Sequence, residues 1–178
     1  MKRITALLFA VTTLVGSAIA FTAITARDSN AQEAAPIFVT KIPPGYRDWK
    51  VVSVAHEAGD LNDMRAILGN DVAINAYRAG TLPFPEGAIV GRIAWRYVPS
   101  EENNTAFGRP QSFVAGAPTD FYLQFMVKDA KKYAATGGWG YASFDKDGTP
   151  SPESAMKTCF PCHQAVHGRD FIFTRYTP

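Results

Sequence analysis

Cysteine is nearly absent from this chain: 178 residues hold only two, Cys159 and Cys162, which excludes a disulfide-stapled scaffold. Charge is sparse and almost balanced. Lys and Arg number 18 against 16 Asp and Glu, a formal net charge of +2, and no block of like charges interrupts the sequence. The broad basic field that would mark a nucleic-acid partner is therefore missing. No internal repeat is present, and past Ile24 no run is long and apolar enough to cross a bilayer. What is present is a 47% hydrophobic composition, that of an ordinary globular protein, in a length that suits one domain with a proper core.

The one long apolar run follows Lys2 and Arg3, extends from Ile4 to Ile24, and gives way to small and polar residues. A positive start, an apolar middle and a small-residue exit are the anatomy of a secretory signal, so a periplasmic location is expected. Of two small-x-small patterns, Ala18-Ile19-Ala20 and Ser29-Asn30-Ala31, the second has Arg27 and Asp28 as a polar lead-in and sets the predicted signal at residues 1–31. The competing reading is an uncleaved membrane anchor, because the run is near the length of a bilayer span. Residues 32–44, rich in Ala and Pro and without periodicity, read as a leader into a domain over 45–178.

Within that domain the pattern alternates between strand and short helix. Trp49 to His56 has the β-branched content of a strand, whereas Leu61, Met64, Ile67 and Leu68, then Val72, Ile74, Ala76 and Tyr77, fit helical spacing, with Asn70 as a cap and Gly80 as a stop. One or two short helices are expected there. Ala88 to Val98 reads as a long strand with unlike faces. Ile89, Gly91, Ile93, Trp95 and Tyr97 lie on one side; Val90, Arg92, Ala94 and Arg96 lie on the other, which leaves room for a flat object. A polar loop over Ser100 to Gln111, strands at "SFVAG" and "FYLQFMV", a short helix from Asp129 to Gly137, a strand at "WGYASF" and a tight turn at "DKDG" follow. Ser151, Pro152 and Glu153 start a final helix that carries the cysteines. Strands separated by isolated helices, without strict alternation, predict an α+β domain built mostly on an antiparallel sheet with a few short helices.

The chemistry concentrates in "KTCFPCHQAV". A disulfide reading uses Cys159 and Cys162 alone, but a thioredoxin-like pair belongs after the first strand of a βαβ unit, and here it lies near the C-terminal end. A zinc reading takes Cys159, Cys162, His163 and His167, all inside a short stretch, where the ion would cross-link little of the chain. Haem attachment accounts for every position. Two sulfurs about one helical turn apart reach the two vinyl groups on one porphyrin edge, and the adjoining histidine binds iron. On this reading Cys159 and Cys162 anchor one haem c and His163 is the metal ligand. His167 reads as a solvated surface residue, and His56 as an ordinary residue at a strand end.

Beyond the motif, the chain resembles the cytochrome P-460 family, which also includes the proteins called cytochrome c′-beta. The resemblance runs through "GYRDW", "LPFPEGAIVGRIAW", "YLQFMVKDAKKYA", "GGWGYASF" and, most specifically, "CFPCH" followed by "RDFIFTRYTP". It implies a mostly antiparallel sheet, a single covalently held haem c, an iron open or nearly so opposite its histidine, and usually a homodimer. It also marks a departure. Members that oxidise hydroxylamine carry a lysine bonded to the haem edge, and Arg92 stands at the matching place, with no lysine between Lys50 and Lys128. A guanidinium stays charged and does not form that bond, which argues against typical hydroxylamine oxidation.

Two functions follow for such a chain. In one, the open side of the haem binds or transforms a small nitrogen species such as nitric oxide or hydroxylamine, and Arg92 acts as the catalytic group, its donors meeting a bound anion or developing negative charge. The bland reading of Arg92 is a solvated side chain or a partner for a haem propionate. In the other, the protein is a six-coordinate electron carrier serving a soluble redox partner, with Met126, Met156 or Met64 closing the iron. A third reading, an envelope interaction protein without haem, predicts no covalent cofactor.

Overall fold

A computed structural model describes residues 37–177; the predicted signal lies outside them. The architecture is α+β, as expected. Five strands, β1 (Lys50–Glu57), β2 (Asp63–Gly69), β3 (Ile89–Pro99), β4 (Phe113–Lys128) and β5 (Trp139–Phe144), form one antiparallel sheet in sequence order. Four short α-helices, α1 (Asp71–Ala79), α2 (Glu101–Phe107), α3 (Glu153–Met156) and α4 (Cys159–Gln164), and three 3-10 turns complete the described elements.

Register assigns the two sheet faces. Residues paired across antiparallel strands project to the same side. Ile67, Arg92, Gln124 and Ser143 form one such row, and Val90, Met126 and Tyr141 form the next. This first face also holds Asp63, Arg65, Ala94, Lys128 and Trp139. Gly91, Ile93, Leu123, Phe125 and Phe144 belong to the opposite face, where Trp49 and Tyr46 pack edge-on to Phe125. The predicted division of β3 therefore holds. Gly91 is needed there because a Cβ would meet the Phe125 ring at 2.9 Å.

Helix α1 covers part of the first face. Asn70 caps it, accepting from Ala73 N at 3.0 Å, and Gly80 ends it in the left-handed conformation, as the sequence predicts. Ala73 and Ile74 press against Gly69, where a Cβ would lie 3.3 Å from each.

Several expectations fail for identifiable reasons. The stretch 63–69 is a strand, not a helix. Both faces of β2 are covered near its end, so Ile67, Leu68 and Gly69 are buried in succession, and the apolar spacing loses its strand signature. The segment expected as a polar loop forms α2 between a Ser100 cap and Gly108; it buries nothing, so no apolar stripe announces it. The two strands expected over 112–127 are one, with Pro118 accommodated opposite Trp95 where the β3–β4 register shifts. Asp129 does accept from Lys132 N at 2.8 Å, but the following residues turn and end in a single 3-10 turn, Ala134–Thr136. Residues 37–42, read as leader, pack on the domain: Ile37 and Val39 bond to Tyr141, and Phe38 and Ile42 lie against the core. The final helix is broken in two at Lys157 and Thr158, and Ser151 pairs with Ser143 instead of capping it.

Candidate functional site

Helix α4 brings Cys159, Cys162 and His163 onto one short turn. Pro161 fits because its missing N–H falls in the first turn, where no intrahelical partner exists. Both thiols are free, Cys159 partly buried and Cys162 exposed. Burial, and secondarily Cys162, push the Cys159 thiol above its usual pKa. Among the described residues no three His, Cys, Asp or Glu side chains converge as a metal-ion site, which leaves the zinc reading without geometry.

His163 lies between two aromatic rings, Tyr141 of β5 at 5.2 Å and Phe173 of the C-terminal segment at 5.0 Å, both edge-on. Its Nδ1 is 2.7 Å from the Phe171 carbonyl. A carbonyl only accepts, so Nδ1 carries the proton and Nε2 keeps its lone pair. Burial lowers the His163 pKa, opposed by that hydrogen bond, so the imidazole is held neutral. This is the tautomer and charge state a metal-binding imidazole requires.

The Phe171 carbonyl is aimed by an unusual backbone. Asp170 and Phe171 are consecutive non-glycine residues at φ 50° and 63°. Conformations of this kind cost about 1–3 kcal/mol each and persist only where surrounding contacts impose them. Here Asp170 accepts from Lys128 Nζ at 2.8 and 2.9 Å and from Phe84 N at 2.8 Å, all buried. The Phe171 ring lies over Gly137, where a Cβ would come within 2.1 Å of it.

Three buried polar atoms here have no partner among the described residues: Tyr141 Oη, Trp139 Nε1 and Tyr77 Oη. Trp139 and Tyr141 rise from the same face of β5, and Tyr77 joins them through Phe84. Burial pushes both tyrosine pKa values up, so both hydroxyls stay protonated donors. Buried donors without acceptors are rare in a complete interior.

Arg92 projects from the same sheet face, two strands across and two residues along from Tyr141, a separation of about 12 Å. It does not touch His163. Its guanidinium bonds Asp63, the Phe121 carbonyl at 3.0 Å and Gln124 Oε1 at 3.0 Å. Asp63 is 1% exposed and also receives Arg65 in two bonds, at 2.7 and 2.9 Å. Desolvation and the nearby Arg65 lower the Arg92 pKa, with Asp63 opposing. The residue is therefore not a freely solvated side chain. Beside it, Asp63, Arg96, Thr119 and Phe121 help line a cavity of about 120 Å³.

The remaining candidates separate by face. Met126 is buried on the His163 side between Val90 and Tyr141, Met156 is buried in α3, and Met64 points to the opposite face with His56. His56 stacks on Tyr97 and bonds Asn62; exposed His167 meets only the Gln164 carbonyl at 3.3 Å. Asp63, Gln124, Lys128, Asp170 and Tyr141 were not anticipated. Asp170 alone had a usable signal, its position seven residues past His163 in the "RDFIF" segment.

An antiparallel α+β domain that ends in Cys-x-x-Cys-His, with an imidazole already oriented, is of the kind that holds a c-type haem. The sequence matches the family model of Cytochrome P460 over residues 43–174, most of the chain, and the protein belongs to that family. No curated protein matches it. Membership implies a c-type haem cytochrome, and the residues present fit one: two thiols on one helical turn, a neutral imidazole with Nε2 free, and beside it the buried Tyr141 hydroxyl, unpartnered among the described residues.

Proposed function

We propose that the chain is an exported monohaem c-type cytochrome whose distal side binds or transforms a small nitrogen species, nitric oxide or hydroxylamine, in a homodimer served by a soluble redox partner. Cys159 and Cys162 anchor the haem and His163 holds its iron. The observation that carries the reading is the Nδ1–H bond from His163 to Phe171, which fixes the ring and leaves Nε2 as the donor atom beside the two thiols. When bound, haem supplies an iron centre that takes up small ligands and exchanges electrons.

The surrounding side chains suit that role. The neutral Tyr141 hydroxyl is a buried donor with no acceptor among the described residues. Arg92 is a cation held at fixed orientation by Asp63 and Gln124; three of its five donors are engaged, and with Arg96 it lines a cavity several waters in volume that Asp60, Asp63 and Asp120 also line. Because no step is needed to orient it, its field is available to a ligand that gains negative charge. Arginine at this position also supports ligand binding over hydroxylamine oxidation of the crosslinked kind.

Absorption spectra of the matured protein, resting and with nitric oxide, test the proposal. A five-coordinate ferrous haem that takes up nitric oxide is expected. A low-spin spectrum with a methionine-to-iron band replaces the proposal with an electron carrier, for which Met126, on the sheet face that carries Tyr141, is a candidate ligand. Absence of haem staining on a denaturing gel rejects both.

A further inference from the structure

The buried Lys128–Asp170 pair lies outside the haem motif, and nothing in the proposed chemistry uses it. Lys128 ends β4, and its ammonium reaches both oxygens of Asp170 at 2.8 and 2.9 Å and the Gly137 carbonyl at 3.2 Å. The two side chains are 5% and 7% exposed. Asp170 takes a third bond from Phe84 N, so it joins the end of β4, the segment before β3 and the C-terminal segment. Its own backbone, at φ 50°, and that of Phe171, at φ 63°, reverse the chain so that the Phe171 carbonyl faces α4. Glycine would adopt such a reversal freely, but neither residue is glycine. The side-chain anchor at Asp170, and the Phe171 ring seated on Gly137, impose it instead.

We propose that Lys128 and Asp170 are positioning residues for the proximal ligand: by imposing the left-handed turn at 170–171 they set the strength of the His163 Nδ1–H bond to Phe171, and with it the basicity of the iron-binding nitrogen. A strong bond from Nδ1–H makes the imidazole more electron-rich at Nε2 and tightens its hold on a metal. The charge pair thus acts on the iron through one carbonyl, without touching the imidazole. This rests on the reading of His163 as the iron ligand.

The test uses Asp170→Asn and the double variant Asp170→Asn/Lys128→Met, which removes the charge of both partners together. Two measurements are made on each. In the apoprotein, nuclear magnetic resonance of the His163 ring is expected to show the Nδ1 proton shifted upfield and exchanging faster with solvent, while the sheet resonances stay in place. In the haem-loaded protein, the iron–histidine stretch is expected at lower frequency, the reduction potential higher, and the proximal histidine lost from the nitric oxide complex roughly tenfold more readily. Variants that fold with an unchanged Nδ1 proton overturn the proposal. Loss of the fold in both variants overturns it as well, because the pair then holds the domain together instead of tuning one bond. A chain that matures without haem refutes the proposed function and leaves the apoprotein measurement to judge the turn.

Discussion

The two ends of one sheet face are built on opposite principles. Around Arg92 the polar groups answer one another: Asp63 receives two arginines, and Gln124 and the Phe121 carbonyl take further donors. Around His163 the imidazole is satisfied at Nδ1, yet Tyr141, Trp139 and Tyr77 keep buried donors with no acceptor among the described residues. A closed network holds a side chain in one orientation. An open one leaves donors for a group supplied from outside, and here one of them, the Tyr141 hydroxyl, belongs to the ring packed on His163 of the Cys-x-x-Cys-His motif. The difference teaches that the Arg92 end is preorganised by the fold, while the His163 end keeps unpartnered donors, as the proposed haem site requires.

The largest effect should come from the incomplete end. Replacing Cys159 and Cys162 together with Ala is expected to abolish covalent haem, read as complete loss of haem staining on a denaturing gel, whereas Arg92→Ala should leave staining intact while changing ligand affinity and lowering stability through the loss of its bond to Asp63. Staining retained in the double variant would dissolve the distinction.

Next in size is the closed network. Asp63→Ala leaves Arg65 and Arg92 part-buried without their shared carboxylate, Arg65 keeping only Glu57, and should cost about 2–4 kcal/mol in urea unfolding of the apoprotein. Tyr141→Phe, at the open end, removes a hydroxyl that has no partner among the described residues and should leave apoprotein stability within about 1 kcal/mol, or raise it. Equal losses in the two variants would show that the ends do not differ as described.

Gly137→Ala is expected to destabilise by about 1–3 kcal/mol, because the residue is at φ 67° and its Cβ would overlap the Phe171 ring. Urea midpoints and the His163 ring resonances should move together.

The smallest effect is on pH. Burial lowers the His163 pKa, so the unfolded chain binds the proton more readily than the folded one. This contribution to apoprotein stability is complete above the unfolded value of about 6.5 and is lost as pH falls through the folded value. A wild-type urea midpoint that falls no faster than that of His163→Gln between about pH 7 and about pH 5 would remove it.

Much of the fold was legible because its signals are local. Asn70, Gly80, the two faces of β3 and the strand at "WGYASF" each follow from a few neighbouring residues. Where both faces of a strand are covered, as at Ile67 and Leu68, periodicity misleads. Where a helix buries nothing, as α2, it gives no periodicity at all. Arg92 was legible as one of two arginines set among small residues on one face of β3, but its fixed orientation was not, since Asp63 and Gln124 come from other strands.

By itself the sequence determined the Cys-x-x-Cys-His spacing on one helical turn, the α+β character and the family, because these depend on residues close along the chain or on the overall order of strands and turns. Only the tertiary structure decided which nitrogen of His163 is free, which carboxylate holds Arg92, and which donors are left without partners. Those outcomes depend on contacts such as Phe84 to Asp170, 86 residues apart, and Lys128 to Asp170, 42 apart. Short-range propensity carries no record of such pairs; they exist because burial leaves each polar group only the partners that the folded chain brings within reach.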